Sequence, residues 1–215
     1  QLVDTLVDLR QPDGSNNEEH AWTIVIHGDN ATNCTATQLN AVNAATSVNV
    51  DATVATLISG DADKLVTLVN NEGDSGDKIN LNDSFAVTVT SSTATASNLN
   101  TINNGTTGLV TATNVDTISG TNNEFLVLYD AHDAGTIVVD NDVNINVSGE
   151  NEVSALNYLN GRTTGTITAA FSSTSINDLI DLEGTNNYDI TLTDASVNAG
   201  ELKTVDEATT TDVTA

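Results

Sequence analysis

Apolar residues recur along this chain in two alternating patterns. One is an i, i+3 spacing in short segments, as at Leu99 and Ile102 or Leu156 and Leu159, preceded by small or polar residues able to cap a helix. The other is a β-branched alternation, as in Thr166-Ile167-Thr168-Ala169, suited to a short strand. Further helical segments are predicted over 63–69, 123–129 and 175–182, and strands over 79–81, 85–89, 136–139, 143–147 and 189–192.

The alternation is a repeat. Residues 36–60 align without gaps on 96–120, with 11 of 25 positions identical, and further copies begin at Leu156 and Leu202. Their shared pattern is L-x-x-Φ-x-x-x-T-T followed by a short β-branched run. Taking Leu39, Leu65, Leu99, Leu126, Leu156, Leu179 and Leu202 as helix markers gives a step of about 27 residues, a solenoid coil length. A strand followed by a crossover pairs most easily in parallel, with a right-handed connection. The expected fold is therefore a right-handed α/β solenoid over 36–215, with short parallel strands and one short helix per coil. Leu39, Leu99, Leu156 and Leu202 should be buried at equivalent places, and Ile58 should be equivalent to Ile118. The alternative is an all-β sandwich.

Residues 1–35 lie outside the repeat and hold Trp22, Pro12, His20, His27 and Cys34. They are expected to form an N-terminal cap or assembly segment that covers exposed strand edges. At the other end, Asp212-Val213-Thr214-Ala215 stops where the fourth copy enters its strand, so an open stacking face is expected there.

Composition narrows the partners. Five Lys and Arg against 30 Asp and Glu leave a formal charge of −25, the same sign as nucleic acids and anionic membranes, and neither is expected as a partner. No run of about 18 apolar residues exists, so membrane insertion is not expected. Thr supplies 34 positions and Asn 28, while Phe, Trp and Tyr supply seven, so the core must be built from Val, Ile, Leu and Ala. A single cysteine, Cys34, rules out an intrachain disulfide. The first residue is Gln and no signal-like start is present, which points to a processed chain or one segment of a longer one. Trypsin-like proteases would find only Arg10, Lys64, Lys78, Arg162 and Lys203, a scarcity that suits an extracellular or cell-surface location. Sequons at Asn30, Asn33, Asn82, Asn104 and Asn146 arise by chance in a chain so rich in Asn and Thr.

Candidate chemistry is sparse. The histidines are His20, His27 and His132, and the one conceivable nucleophile–base dyad is Cys34 with His20 or His27. Asp61/Asp63 and Asp140/Asp142 resemble glycosidase carboxylate pairs, but 30 acids in 215 residues make such pairs expected, and no catalytic residue is assigned. Zinc has no chelating spacing here. Calcium is the ligand the oxygen donors favour, at Asp61 and Asp63, at Asn70, Glu72, Asp74 and Asp77, at Asp130 and Asp133, and at Asp140 and Asp142. The alternative is that these acids form a solvated coat, since neither calcium nonapeptides nor an EF-hand spacing is present. Tyr129, Tyr158 and Tyr188 are far apart in sequence, which favours scaffolding over a concave glycan-binding site.

The runs ASNLNTINNGTTGLVTATNVDTISGT and TLTDASVNAGELKTVDEATTTDVTA are similar to tandem repeats of very large acidic secreted or surface proteins of cyanobacteria and other marine bacteria, and of some phage virion structural proteins. The resemblance covers roughly 36–215 and rests on the L-N-x-Φ-[ND]-x-x-T-T and Φ-S-G patterns. It implies a structural or adhesive surface role, often beside calcium-binding modules. The expected function is that of a non-enzymatic extracellular structural protein assembling end to end with itself into a filament, surface layer or fibre. The alternatives are a calcium-dependent adhesin or glycan-binding module, and a phage virion fibre.

Overall fold

Threonine and asparagine set where each element starts and how each corner is closed. The computed structural model describes residues 24–27 and 33–214. Strands β1 (Ile24–Val25) and β2 (Asn33–Thr35) lead into helix α1 (Ala36–Asn43). Next come β3 (Val50–Ala52), β4 (Leu57–Gly60), α2 (Ala62–Asn70), β5 (Ile79–Leu81), β6 (Ala86–Val89), β7 (Thr93–Thr95) and α3 (Ala96–Asn104). They are followed by β8 (Val110–Ala112), β9 (Thr117–Gly120), α4 (Asn122–Asp133), β10 (Ile137–Val139), β11 (Asn144–Val147) and α5 (Val153–Asn160). The last are β12 (Ile167–Thr174), a 3-10 turn (Ile176–Asp178), β13 (Asn187–Leu192), α6 (Ala199–Glu207) and β14 (Val213–Thr214).

Among the described residues every strand pair is parallel, in sheets ordered β1-β3-β5, β10-β8-β6-β4-β2 and β14-β13-β12-β11-β9-β7. The protein is thus an α/β protein, and the sandwich alternative is overturned: each strand is followed by a crossover, so its neighbour runs the same way. The described end of the segment set aside as a cap joins these sheets, with Ile24 beside Val50 and Cys34 beside Ile58.

The chain divides into two compact units. Of the described residues, one comprises 24–27, 33–91, 101–112 and 135–138, and the other 92–100, 113–134 and 139–214. In the first, Cys34 lies beside Ile58, Ile58 beside Val87 and Val87 beside Val110, forming a buried apolar column. In the second, Ala94, Ile118, Ile145 and Ile167 form another. Ile58 and Ile118 are equivalent, each paired with a strand 24 residues earlier and each followed by Ser-Gly. Register steps run from 18 to 29 residues instead of a uniform 27, because the 70–77 loop lengthens one coil and a short 3-10 turn replaces the helix predicted over 175–182.

Helix register is set by the cap. Thr35 and Gln38 close a reciprocal box at the start of α1, and Thr121 and Glu124 close another on α4, each satisfying two backbone donors that have no helical partner. The fourth residue after the cap turns inward: Leu39, Leu65, Phe125, Leu156 and Leu179 are all buried. Leu99 stands in the same place after Thr95, whose hydroxyl accepts the Asn98 N–H. Leu126 is therefore a misplaced marker. It sits one residue beyond the inward position and is 39% exposed, while Phe125 fills the core. Leu202 is only half-buried, and Val205 is the buried residue of α6.

A Thr-Thr pair closes three of the corners, and Thr46-Ser47 stands in the same place in the first copy. Thr106 Oγ1 donates to the Phe85 carbonyl at 2.6 Å and accepts the Gly108 N–H at 3.0 Å, while the Thr107 N–H reaches the Asp83 carbonyl at 2.8 Å. Thr163 repeats this with Val143 and Gly165 at 2.6 and 2.9 Å, and the Thr164 N–H with Asn141 at 2.7 Å. Thr209 donates to the Tyr188 carbonyl at 2.7 Å and accepts the Thr211 N–H at 3.2 Å. Thr46 accepts the Val48 N–H at 3.2 Å. Of the described residues only four polar ones are buried, Thr46, Thr163, Asn186 and Thr209, and three of them are the first threonine of a repeat. Glycine follows where the chain must touch the preceding coil: a Cβ on Gly108 would lie 2.3 Å from the Phe85 carbonyl oxygen, and one on Gly165 2.4 Å from that of Val143.

A second tie comes from the Asn that follows three of the marker leucines, Leu39, Leu99 and Leu156. Asn40, Asn100 and Asn157 donate through Nδ2 to the carbonyls of Lys64, Glu124 and Asp181 at 2.9, 2.9 and 2.7 Å, each 24 residues further on.

Replacing buried Thr163 with the isosteric Val strands the Val143 carbonyl and the Gly165 N–H, and is expected to cost about 1–3 kcal/mol. Thr164→Val, at an exposed position, should cost clearly less. Urea unfolding followed by circular dichroism compares the two, and equal losses would reject the corner as the source of stability.

Candidate functional site

All ten candidate calcium residues lie on the surface: Asp61, Asp63, Asn70, Glu72, Asp74, Asp77, Asp130, Asp133, Asp140 and Asp142 are exposed. Several already serve the fold. Asp61 is the residue before α2, and its Oδ1 accepts the Thr90 hydroxyl at 3.2 Å. The Asn70 carbonyl accepts Lys78 Nζ at 3.3 Å, and Asp140 Oδ1 accepts the Asn141 N–H at 2.8 Å. Both Asp133 oxygens accept Arg162 guanidinium N–H groups at 2.7 Å. The 70–77 loop is drawn closed by backbone bonds between Gly73 and Ile79 and between Ile79 and Asn71, with Asp74 and Asp77 facing solvent on its exposed bend. Among the described residues no three His, Cys, Asp or Glu side chains converge closely enough to hold a metal ion.

The nucleophile candidates are also placed. Cys34 is buried in β2, and burial pushes its thiol up, away from the thiolate form that attack requires. His27 is exposed, and His20 lies outside the described residues. His132 Nδ1 accepts the Val139 N–H at 3.4 Å.

What the sequence reading missed is an aromatic cluster within the second unit. Tyr129 on α4 and Tyr158 on α5 meet edge to face with ring centroids 6.5 Å apart, and His132 meets Tyr129 at 6.2 Å. The Arg162 guanidinium lies 4.7 Å from the Tyr158 ring centre and 5.7 Å from that of Tyr129. Asp133 anchors that guanidinium with two parallel bonds, and Arg162 in turn holds the Asp133 carboxyl below the usual carboxylate range. Tyr129 is buried, its hydroxyl has no hydrogen-bond partner, and desolvation pushes it up to about 12. The tyrosines were legible singly. Their meeting depends on Tyr129 and Tyr158, like Asp133 and Arg162, standing 29 residues apart on successive helices, a contact between side chains that helix spacing alone does not display.

Beside this cluster opens a cavity of about 510 Å³ at the starts of α4 and α5. Its walls include Asn122, Leu126, Ser148, Glu150, Glu152 and Tyr158. Tyr158 is half-buried and Leu126 exposed, so both present apolar surface, while the remaining walls carry amide, hydroxyl and carboxylate groups. The Asn122 amide is fixed by donating to the Glu150 carbonyl at 3.4 Å and to Asn151 Oδ1 at 3.2 Å. No Lys or Arg lines it.

Two measurements follow. Tyr129 favours its neutral form in the fold, so stability present below pH 10 should fall as pH rises from 10 to about 12. Tyrosinate absorbance should show a late-ionising component that Tyr129→Phe removes. For the acids, calcium and magnesium at matched ionic strength should raise the melting temperature equally, by screening the −25 charge. A calcium-specific rise abolished by Asp74→Asn or Asp77→Asn would instead establish a site in the 70–77 loop.

No protein-family model, curated protein or solved structure matches this chain.

Proposed function

We propose that this is a non-enzymatic extracellular structural protein, a right-handed α/β solenoid that assembles end to end with copies of itself into a filament, surface layer or fibre. The observation that supports this reading is the recurrence of the same ties from coil to coil. Three asparagines donate to a carbonyl 24 residues ahead, and three Thr-Thr corners bond the coil before them. A unit built this way can be extended by any segment that offers the same backbone groups. Among the described residues, β14 and β7, β10 and β2, and β1 and β5 are the outer strands of their sheets. An outer parallel strand is a template for one more strand, and a head-to-tail contact of that kind propagates without closing.

The exposed acids fit this reading as a coat that opposes sideways clumping while leaving axial growth free. Calcium enters as a bridge between the acidic rims of adjoining copies, distinct from a ligand needed for folding. The similarity of the repeats to those of large acidic surface proteins agrees with this role.

Sedimentation velocity and negative-stain imaging of the purified chain are expected to show concentration-dependent linear oligomers that calcium lengthens. A monomer that persists at high concentration, with calcium and without it, would reject self-assembly.

A further inference from the structure

We propose that the cavity at the starts of α4 and α5 binds a neutral sugar residue of a glycan, with Tyr158 as its stacking platform. The inference is independent of the assembly reading, since one copy holds every residue it needs.

The volume, about 510 Å³, lies in the range of small-ligand sites. What distinguishes the cavity from an ordinary surface dent is that its aromatic wall is held from behind. Tyr158 is fixed by the Arg162 guanidinium at 4.7 Å and by the edge-on Tyr129 ring at 6.5 Å, and Arg162 is itself locked by the paired bonds to Asp133. A ring restrained in this way loses little freedom when a ligand stacks on it. Leu126, 39% exposed, extends the apolar surface from the facing helix.

The ligand class follows from the rest of the lining. Ser148 and Ser154 bring hydroxyls and Glu150 and Glu152 carboxylates that accept hydrogen bonds, while the Asn122 N–H groups are already given to the Glu150 carbonyl and Asn151 Oδ1 and brace the wall. An apolar platform facing donors and acceptors matches a pyranose, which carries a C–H face and a rim of hydroxyls. Among the described residues no lysine or arginine lines the walls, so a phosphate, sulfate or uronate would find no pairing partner there. A small organic cation is the competing fit. Both carboxylates are exposed, however, so their charge is screened, and a cation would leave the hydroxyl groups unused.

The test is an amide NMR titration of the whole chain with neutral oligosaccharides built from glucose, galactose, mannose, xylose and N-acetylglucosamine, set against a uronate oligosaccharide and tetramethylammonium. At least one neutral glycan should shift resonances within 121–126 and 148–158. Tyr158→Ala should weaken it about tenfold, whereas Tyr158→Phe, which keeps the ring, should retain it. Arg162→Ala, at a positioning residue, should weaken binding severalfold and broaden the Tyr158 ring resonances. If Tyr158→Ala unfolds the chain, exposed Leu126→Asp serves in its place and should weaken binding comparably. No shift with any neutral glycan, shifts confined to other residues, or tighter binding of the uronate or of tetramethylammonium would each overturn the proposal.

Discussion

A strand that returns to lie beside its predecessor must turn corners against protein, and at every corner backbone N–H and C=O groups lose their water. Those groups must find partners, because an unpaired buried amide costs as much as a broken hydrogen bond. In this protein many of the partners are side chains, beside backbone bonds such as that of the Thr107 N–H to the Asp83 carbonyl. The first threonine of the pairs 106–107, 163–164 and 209–210 accepts an N–H two residues ahead and donates to a carbonyl of the preceding segment, and Thr46, followed by Ser47, accepts the Val48 N–H in the same way. Asn186 does the same work alone: its Oδ1 accepts the Ile167 N–H, while its Nδ2 donates to Asn160 Oδ1 and the Tyr188 hydroxyl. The high Thr and Asn content is the compositional trace of this requirement. Both side chains are short, so ordering them costs little entropy, and threonine's branched Cβ also suits the strands on either side.

The same closeness governs the core. Columns of Ile, Val and Ala stand one coil apart, and glycine appears where even a methyl group would collide. A Cβ on Gly60 would come within 2.9 Å of the Ala36 methyl, and one on Gly120 within 3.0 Å of Ala96. This gives the Φ-S-G pattern a steric meaning: the strand that ends in glycine lets the first turn of the preceding coil's helix settle against it. The few aromatic residues go mostly inside: Phe85, Phe125, Tyr129, Phe171 and Tyr188 are all buried. In the second unit two of them, Tyr129 and Tyr158, are gathered with an arginine at one spot, where they serve surface geometry as much as packing.

Much of this was legible in the chain. Marker leucines Leu39, Leu99 and Leu156, the equivalence of Ile58 and Ile118, and parallel pairing all follow from period and spacing. Three features were not. A leucine marker points to Leu126, whereas counting four residues from the Thr121 cap finds the inward position at Phe125. The segment 175–182 carries a helical pattern but has room for a single 3-10 turn, with Asp194 Oδ2 accepting the Ile176 N–H in place of a local cap. The cavity depends on which residues of successive coils face each other, and unequal coil lengths hide that from any fixed period.

The short register steps bear on how the chain reaches this state. Among the described residues no strand is paired with one more than 29 residues away. Each coil therefore closes a loop of similar length, and the entropy of closure, growing only with the logarithm of that length, is nearly the same at every step. A described strand therefore finds its partner in a neighbouring stretch of chain, and a segment can pair with what was made shortly before it without awaiting a distant one.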